Sequence, residues 1–91
     1  MQFEWDERKA ARNLKVHGVT FEEAMTVFED ALFLTFADLD HSTEEQRYII
    51  MGQSKGGRLL VVAYTERGQT TRLISAREAT RRERQSYEQE I

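Results

Sequence analysis

The sequence predicts an α+β fold, in which a short N-terminal strand precedes a helical hairpin laid on an antiparallel sheet, with a helix at the C-terminus. Three observations predict it. Apolar spacing follows a helical period up to Glu29-Asp30 and short β-rich runs after it. Helix-start signals stand at Asp6 and at Thr20 with Glu23. The links Ser54-Lys55-Gly56-Gly57 and Arg67-Gly68-Gln69 have hairpin length and carry glycine.

Residues 2–5 are aromatic and alternating, which suits a first strand. Asp6 is a good N-cap, Trp5 can staple onto Ala10, and Ala10, Leu14 and His17 recur at helical spacing before Gly18 ends the segment. For the second helix Thr20 and Glu23 form a capping box, Val19 and Ala24 can staple, and Phe21, Ala24, Met25 and Phe28 make the stripe. The β-rich runs are residues 32–36, 47–52, 58–66 and 70–76, the last three forming an antiparallel meander. Residues 37–46 are a polar excursion before it. Residues 79–91 are helical by propensity, but Ala79, Tyr87 and Ile91 make a thin stripe, so this helix is expected to be held loosely by its own core. Its start is open, because Ser75 with Glu78 and Thr80 with Glu83 are both capping boxes.

At 91 residues the chain supports one domain, 1–91, with a small core that can lean on a partner. The absence of cysteine excludes a disulfide scaffold, a thiolate metal site and a cysteine nucleophile. The longest apolar run covers residues 59–64, far short of a bilayer span, and the first residues lack a basic then apolar leader, so a cytoplasmic location is expected. The net charge of -3 hides a division: residues 1–45 carry four basic against eleven acidic side chains, residues 46–91 nine against five. Eight of those nine are arginines, whose planar forks suit phosphate; the plainer alternative is a solvated surface paired with Glu78, Glu83, Glu88 and Glu90.

Asp38, Asp40 and His41 could seed a metal site but read more simply as an Asx-turn loop, and no His-x-x-His or Glu-x-x-His spacing exists, so no metal and no cofactor are expected. Ser42, Ser54, Ser75 and Ser86 lack a nucleophile-elbow pattern, and no phosphate-binding glycine loop is present. Metal-free RNA cleavage asks for less. The 2′-OH attacks the adjacent phosphate, so the protein must align the strand, move protons and neutralise phosphoryl charge. Arg47, Arg58, Arg67, Arg72 and Arg77 lie on or beside the meander. Strand alternation puts Arg72 with Ile74 and Ala76, and Arg77 with Leu73 and Ser75, so only one of these faces can be catalytic. Arg77, at a strand-to-helix junction, is the stronger phosphate clamp, with pairing to Glu78 or Glu83 as its structural alternative. His17 suits general acid-base work, although a histidine in the last turn also stabilises a helix end. His41, in a polar loop, is weaker. Tyr87 could stack on a base, but packing explains it as well.

Several strings, in order, closely resemble the BrnT family: Trp5-Asp6, Lys9, Asn13 and His17-Gly18-Val19; Phe21-Glu22-Glu23-Ala24; Asp40-His41-Ser42 with Glu45 and Arg47; Gly57-Arg58-Leu59-Leu60-Val61-Val62; Thr65-Glu66-Arg67-Gly68; and Ile74-Ser75-Ala76-Arg77 with Ala79-Thr80, Glu83 and Tyr87. The resemblance implies a toxin of a type II toxin-antitoxin pair with a RelE-like fold, a metal-independent endoribonuclease that slows translation and growth. It implies a BrnA-like ribbon-helix-helix antitoxin as partner, RNA as substrate, operator DNA bound only through the antitoxin complex, and room for a homodimer within that complex. His17, Arg58 and Arg77 carry over as catalytic positions, and Arg47, Arg67, Arg72, Arg81 and Arg82 are assigned to RNA binding. In one departure, Val16 precedes His17 where the family often has a basic residue, and Lys15 is one place earlier, about 100° round the helix. The competing functions are a non-catalytic RNA- or antitoxin-binding module acting in autoregulation, and a regulatory subunit whose Arg81-Arg82-Arg84 helix supports a DNA-binding complex.

Overall fold

The computed structural model describes residues 1–41 and 45–90; Ser42 of the motif and Ile91 of the terminal stripe lie outside the described residues. Strand β1 (Gln2–Glu4) leads into α1 (Glu7–His17) and α2 (Phe21–Thr26), which ends in a 3-10 turn over Val27–Glu29. Strands β2 (Leu34–Ala37), β3 (Arg47–Gln53), β4 (Leu59–Arg67) and β5 (Thr70–Glu78) follow, and α3 (Arg81–Gln89) closes the order. The sheet runs β1-β5-β4-β3-β2. The short links make β2 to β5 antiparallel neighbours, whereas β1, separated from β5 by most of the chain, lies parallel to it with Gln2 opposite Thr70.

Asp6 caps α1 by accepting the Arg8 and Lys9 N–H groups, and Gly18, at φ 70°, ends it by donating to the Leu14 carbonyl. Thr20 caps α2 by accepting the Glu23 N–H at 3.0 Å. The Glu23 carboxylate does not complete that box; it accepts from Arg58 and Ser54 instead. The hairpin buries Val19, Phe21, Ala24 and Val27 against Ile50, Leu60, Val62, Tyr64, Leu73 and Ala76. Trp5 packs edge-on to Phe21, and Phe28 bridges Phe3 and Tyr64.

The stripe on α1 differs from the simple apolar reading: Leu14 is half exposed while Asn13 is buried. The cause is an open strand edge. Pairing with β1 ends at Arg72, so β5 beyond it has unpaired main chain on that side. The Asn13 amide supplies the partner, donating to Ala76 O at 2.7 Å and Val19 O at 2.9 Å and accepting from Ala76 N at 3.0 Å.

At the C-terminus the Thr80–Glu83 box wins over Ser75–Glu78 because β5 continues through Glu78; both halves of the box are made. The helix is anchored better than its thin stripe suggests. Tyr87 is buried with Met51, Leu59 and Val61 on the sheet face opposite the hairpin, and its hydroxyl donates to Asp30 Oδ2 at 2.5 Å. Burial, then the Asp30 carboxylate, pushes the Tyr87 phenol up to about 12.

Candidate functional site

The register of β5 decides which arginines meet. Ala63 pairs with Ser75 but Tyr64 with Leu73, which leaves Ile74 as an extra residue. This bulge resets the alternation. Leu73 and Ala76 both enter the core, while Arg72, opposite Thr65, and Arg77, opposite Val61, share the face turned away from the helical hairpin. Strict alternation had separated them. Arg47, also opposite Thr65, and Arg67, two residues beyond Thr65, lie on the same open face.

Two adjoining clefts cross this face. One, of about 260 Å³, is lined by Lys9, His41, Glu45, Arg47, Thr65, Arg67, Arg72 and Ile74. The other, of about 230 Å³, lies among Asp38, His41, Arg47, Ser75 and Arg77. His41 and Arg47 belong to both. A third, of about 230 Å³, places His17 beside Lys9, Arg12, Ile74 and Ser75, so His17 sits on the rim that α1 forms along β5.

Carboxylates hold three of these forks at rest. Arg67 reaches Glu45 at 2.8 and 3.1 Å, Arg72 reaches Glu4, and Arg77 grips Glu83 at 2.8 and 2.9 Å while also donating to the Glu78 carbonyl. The last pair realises the structural alternative foreseen for Arg77 and ties α3 to β5. The Arg77 guanidinium, with the Thr80 N–H, holds the Glu83 carboxyl at about 2. Because the folded carboxyl titrates below its ordinary 4.5, the pair contributes stability above that pH and loses it as pH falls towards 2. These pairs are partly exposed, with the Arg77 side chain 42% accessible, and such pairs contribute about 0–1 kcal/mol.

Arg58 does not join them. On the helix-covered side, its Nε and Nη2 bind the Glu23 carboxylate and its Nη2 also donates to Gly18 O at 3.1 Å, tying the α1–α2 junction to the β3–β4 hairpin. Glu23 is held below the usual carboxylate range chiefly by that guanidinium. Arg81 and Arg82 are exposed in the first turn of α3 and line neither open-face cleft.

His41, placed by the sequence in a polar loop, lines both open-face clefts. A turn in which the His41 N–H donates to the Asp38 carbonyl also brings His41 Nδ1 to 3.1 Å from the Asp38 carboxylate. In the sequence Asp38, Asp40 and His41 read together as a metal seed or a turn. Among the described residues no three His, Asp or Glu side chains converge as a metal site. The cleft floor holds a second feature: Thr65, 2% exposed, has a buried hydroxyl without a hydrogen-bond partner, a state that costs about 1–3 kcal/mol.

Comparison with known proteins follows the same outline. A family model described as the ribonuclease toxin BrnT of type II toxin-antitoxin systems matches residues 5–83. The crystal structure of the Brucella abortus ribonuclease toxin BrnT superposes with a TM-score of 0.68 at 23% identity, covering 89% of this chain and 99% of that one. The likeness is one of fold, an α+β arrangement that in this chain comprises a five-stranded mixed sheet and three helices. No curated relative matches.

Proposed function

We propose, for a chain that belongs to the BrnT family of ribonuclease toxins of type II toxin-antitoxin systems, that RNA lies across the open sheet face and is cleaved there without a metal ion. The convergence of Arg47, Arg67, Arg72 and Arg77 on one face carries the reading. Guanidinium forks offer paired donors to phosphoryl oxygens and stabilise the charge that grows on them in the transition state. Arg77 serves as the phosphate clamp, leaving Glu83 as substrate arrives, and His17 on the rim is available for proton transfer. Arg58 supports the site through the hairpin junction, and Arg81 and Arg82 contact the strand where it leaves the face near α3. Cleavage of cytoplasmic RNA by this route would inhibit translation and growth.

Family membership implies an antitoxin. The proposed partner is a BrnA-like ribbon-helix-helix protein that carries the operator contact for the complex, with a toxin homodimer within it as part of the proposal. Edge strand β2 supports a protein partner: Phe36 on it, with Leu32, Phe33 and Leu39 nearby, leaves apolar surface exposed. No helix among the described residues is long and apolar enough to cross a membrane.

The test is cleavage of labelled single-stranded RNA by the purified protein in EDTA. Full activity is expected in the chelator. Activity abolished by EDTA and restored by magnesium, with the RNA equally folded in both, would refute the metal-free route.

A further inference from the structure

The open face assembles cations from three strands, and among the described residues one side chain shared by its two arginine clefts can act as a proton acceptor: His41. We infer that His41 is a catalytic residue, the proton acceptor for RNA cleavage, and that Asp38 is its positioning residue; the inference rests on the open face being the RNA surface.

The geometry has two parts. Asp38 Oδ1 and Oδ2 lie 3.1 and 3.2 Å from His41 Nδ1. A carboxylate only accepts, so in the neutral ring Nδ1 carries the proton and Nε2 keeps its lone pair for substrate. His41 and Arg47 line both clefts, one of which also carries Arg67 and Arg72 and the other Arg77. His17, by contrast, lines the rim cleft, among Lys9, Arg12, Ile74 and Ser75.

The step balances without another reagent. As the O2′–P bond forms and the P–O5′ bond breaks, the 2′ proton passes to Nε2 of His41. The departing 5′ oxygen takes a proton from solvent water, and the imidazolium returns its proton to solvent. The products are a 2′,3′-cyclic phosphate and a 5′-hydroxyl. The charged groups facing the ring are Lys9 from α1, Arg47 from β3, Arg67 from β4, and Arg72 and Arg77 from β5. Asp38 and Glu45 face it from its own connection.

The test compares wild type, His41→Gln and Asp38→Asn on labelled single-stranded RNA, scoring binding and single-turnover cleavage separately across pH. The His41 side chain is 63% exposed, so its replacement leaves melting unchanged. His41→Gln is expected to bind RNA within about twofold of wild type and to cleave about a hundredfold more slowly or worse, with the acid limb of kcat/KM gone. Asp38→Asn is expected to lower kcat while leaving KM and RNA binding unchanged, a split a purely structural role would not produce. Wild-type cleavage by His41→Gln, or loss of binding in step with cleavage, would overturn the assignment while leaving the RNA surface intact. A wild-type protein that neither binds nor cleaves RNA would overturn both.

Discussion

Arg77→Lys is expected to slow RNA cleavage by about a hundredfold to a thousandfold, equivalent to about 2.7–4 kcal/mol of transition-state stabilisation, while the protein stays folded and binds its antitoxin. Lysine keeps the charge and most of the stem but loses the fork that now spans both Glu83 oxygens. The stability change is small because the pair is partly exposed, worth less than about 1 kcal/mol, so the melting temperature moves by no more than about 4–8 °C. Thermal melting alongside single-turnover cleavage separates the two roles. A variant that melts further down the scale while keeping its activity per folded molecule would assign Arg77 to the β5–α3 junction alone.

Asn13→Ala is expected to destabilise the fold by about 3–5 kcal/mol, a large share of the 5–15 kcal/mol typical of small domains. The substitution leaves the Ala76 N–H, the Ala76 carbonyl and the Val19 carbonyl without their buried partner and opens space between α1 and β5. Denaturant titration would show a lower midpoint with little change in slope. A loss below about 1 kcal/mol would mean that the β5 edge is satisfied some other way.

These two residues also mark how far the sequence carries. Elements were legible where local signals agree. Asp6, Gly18, Thr20 and the glycine links lie at the boundaries they predicted, and Thr80 closes the C-terminal box. What escaped were consequences of long-range register. The alternation rule separates Arg72 from Arg77, and only the Ile74 bulge, visible in the pairing of β5 with β4, unites them. Asn13 looks like an interruption of an apolar stripe until β1 is seen to stop at Arg72 and leave Ala76 at an edge. Arg58, equal to its neighbours in composition, is taken out of the open face by Glu23, a residue that reads locally as half of a capping box. His41 was visible, but the value of the loop depends on where β2 and β3 place it against Arg47.

The most direct measurement of the central claim is an NMR footprint of a short single-stranded RNA made non-cleavable by 2′-O-methyl groups. The account predicts that the largest shifts fall on Arg47, Thr65, Arg67, Arg72, Ser75 and Arg77, with the α1–α2 junction around Gly18, Glu23 and Arg58 nearly unchanged. Shifts concentrated at that junction, with the open face silent, would contradict it.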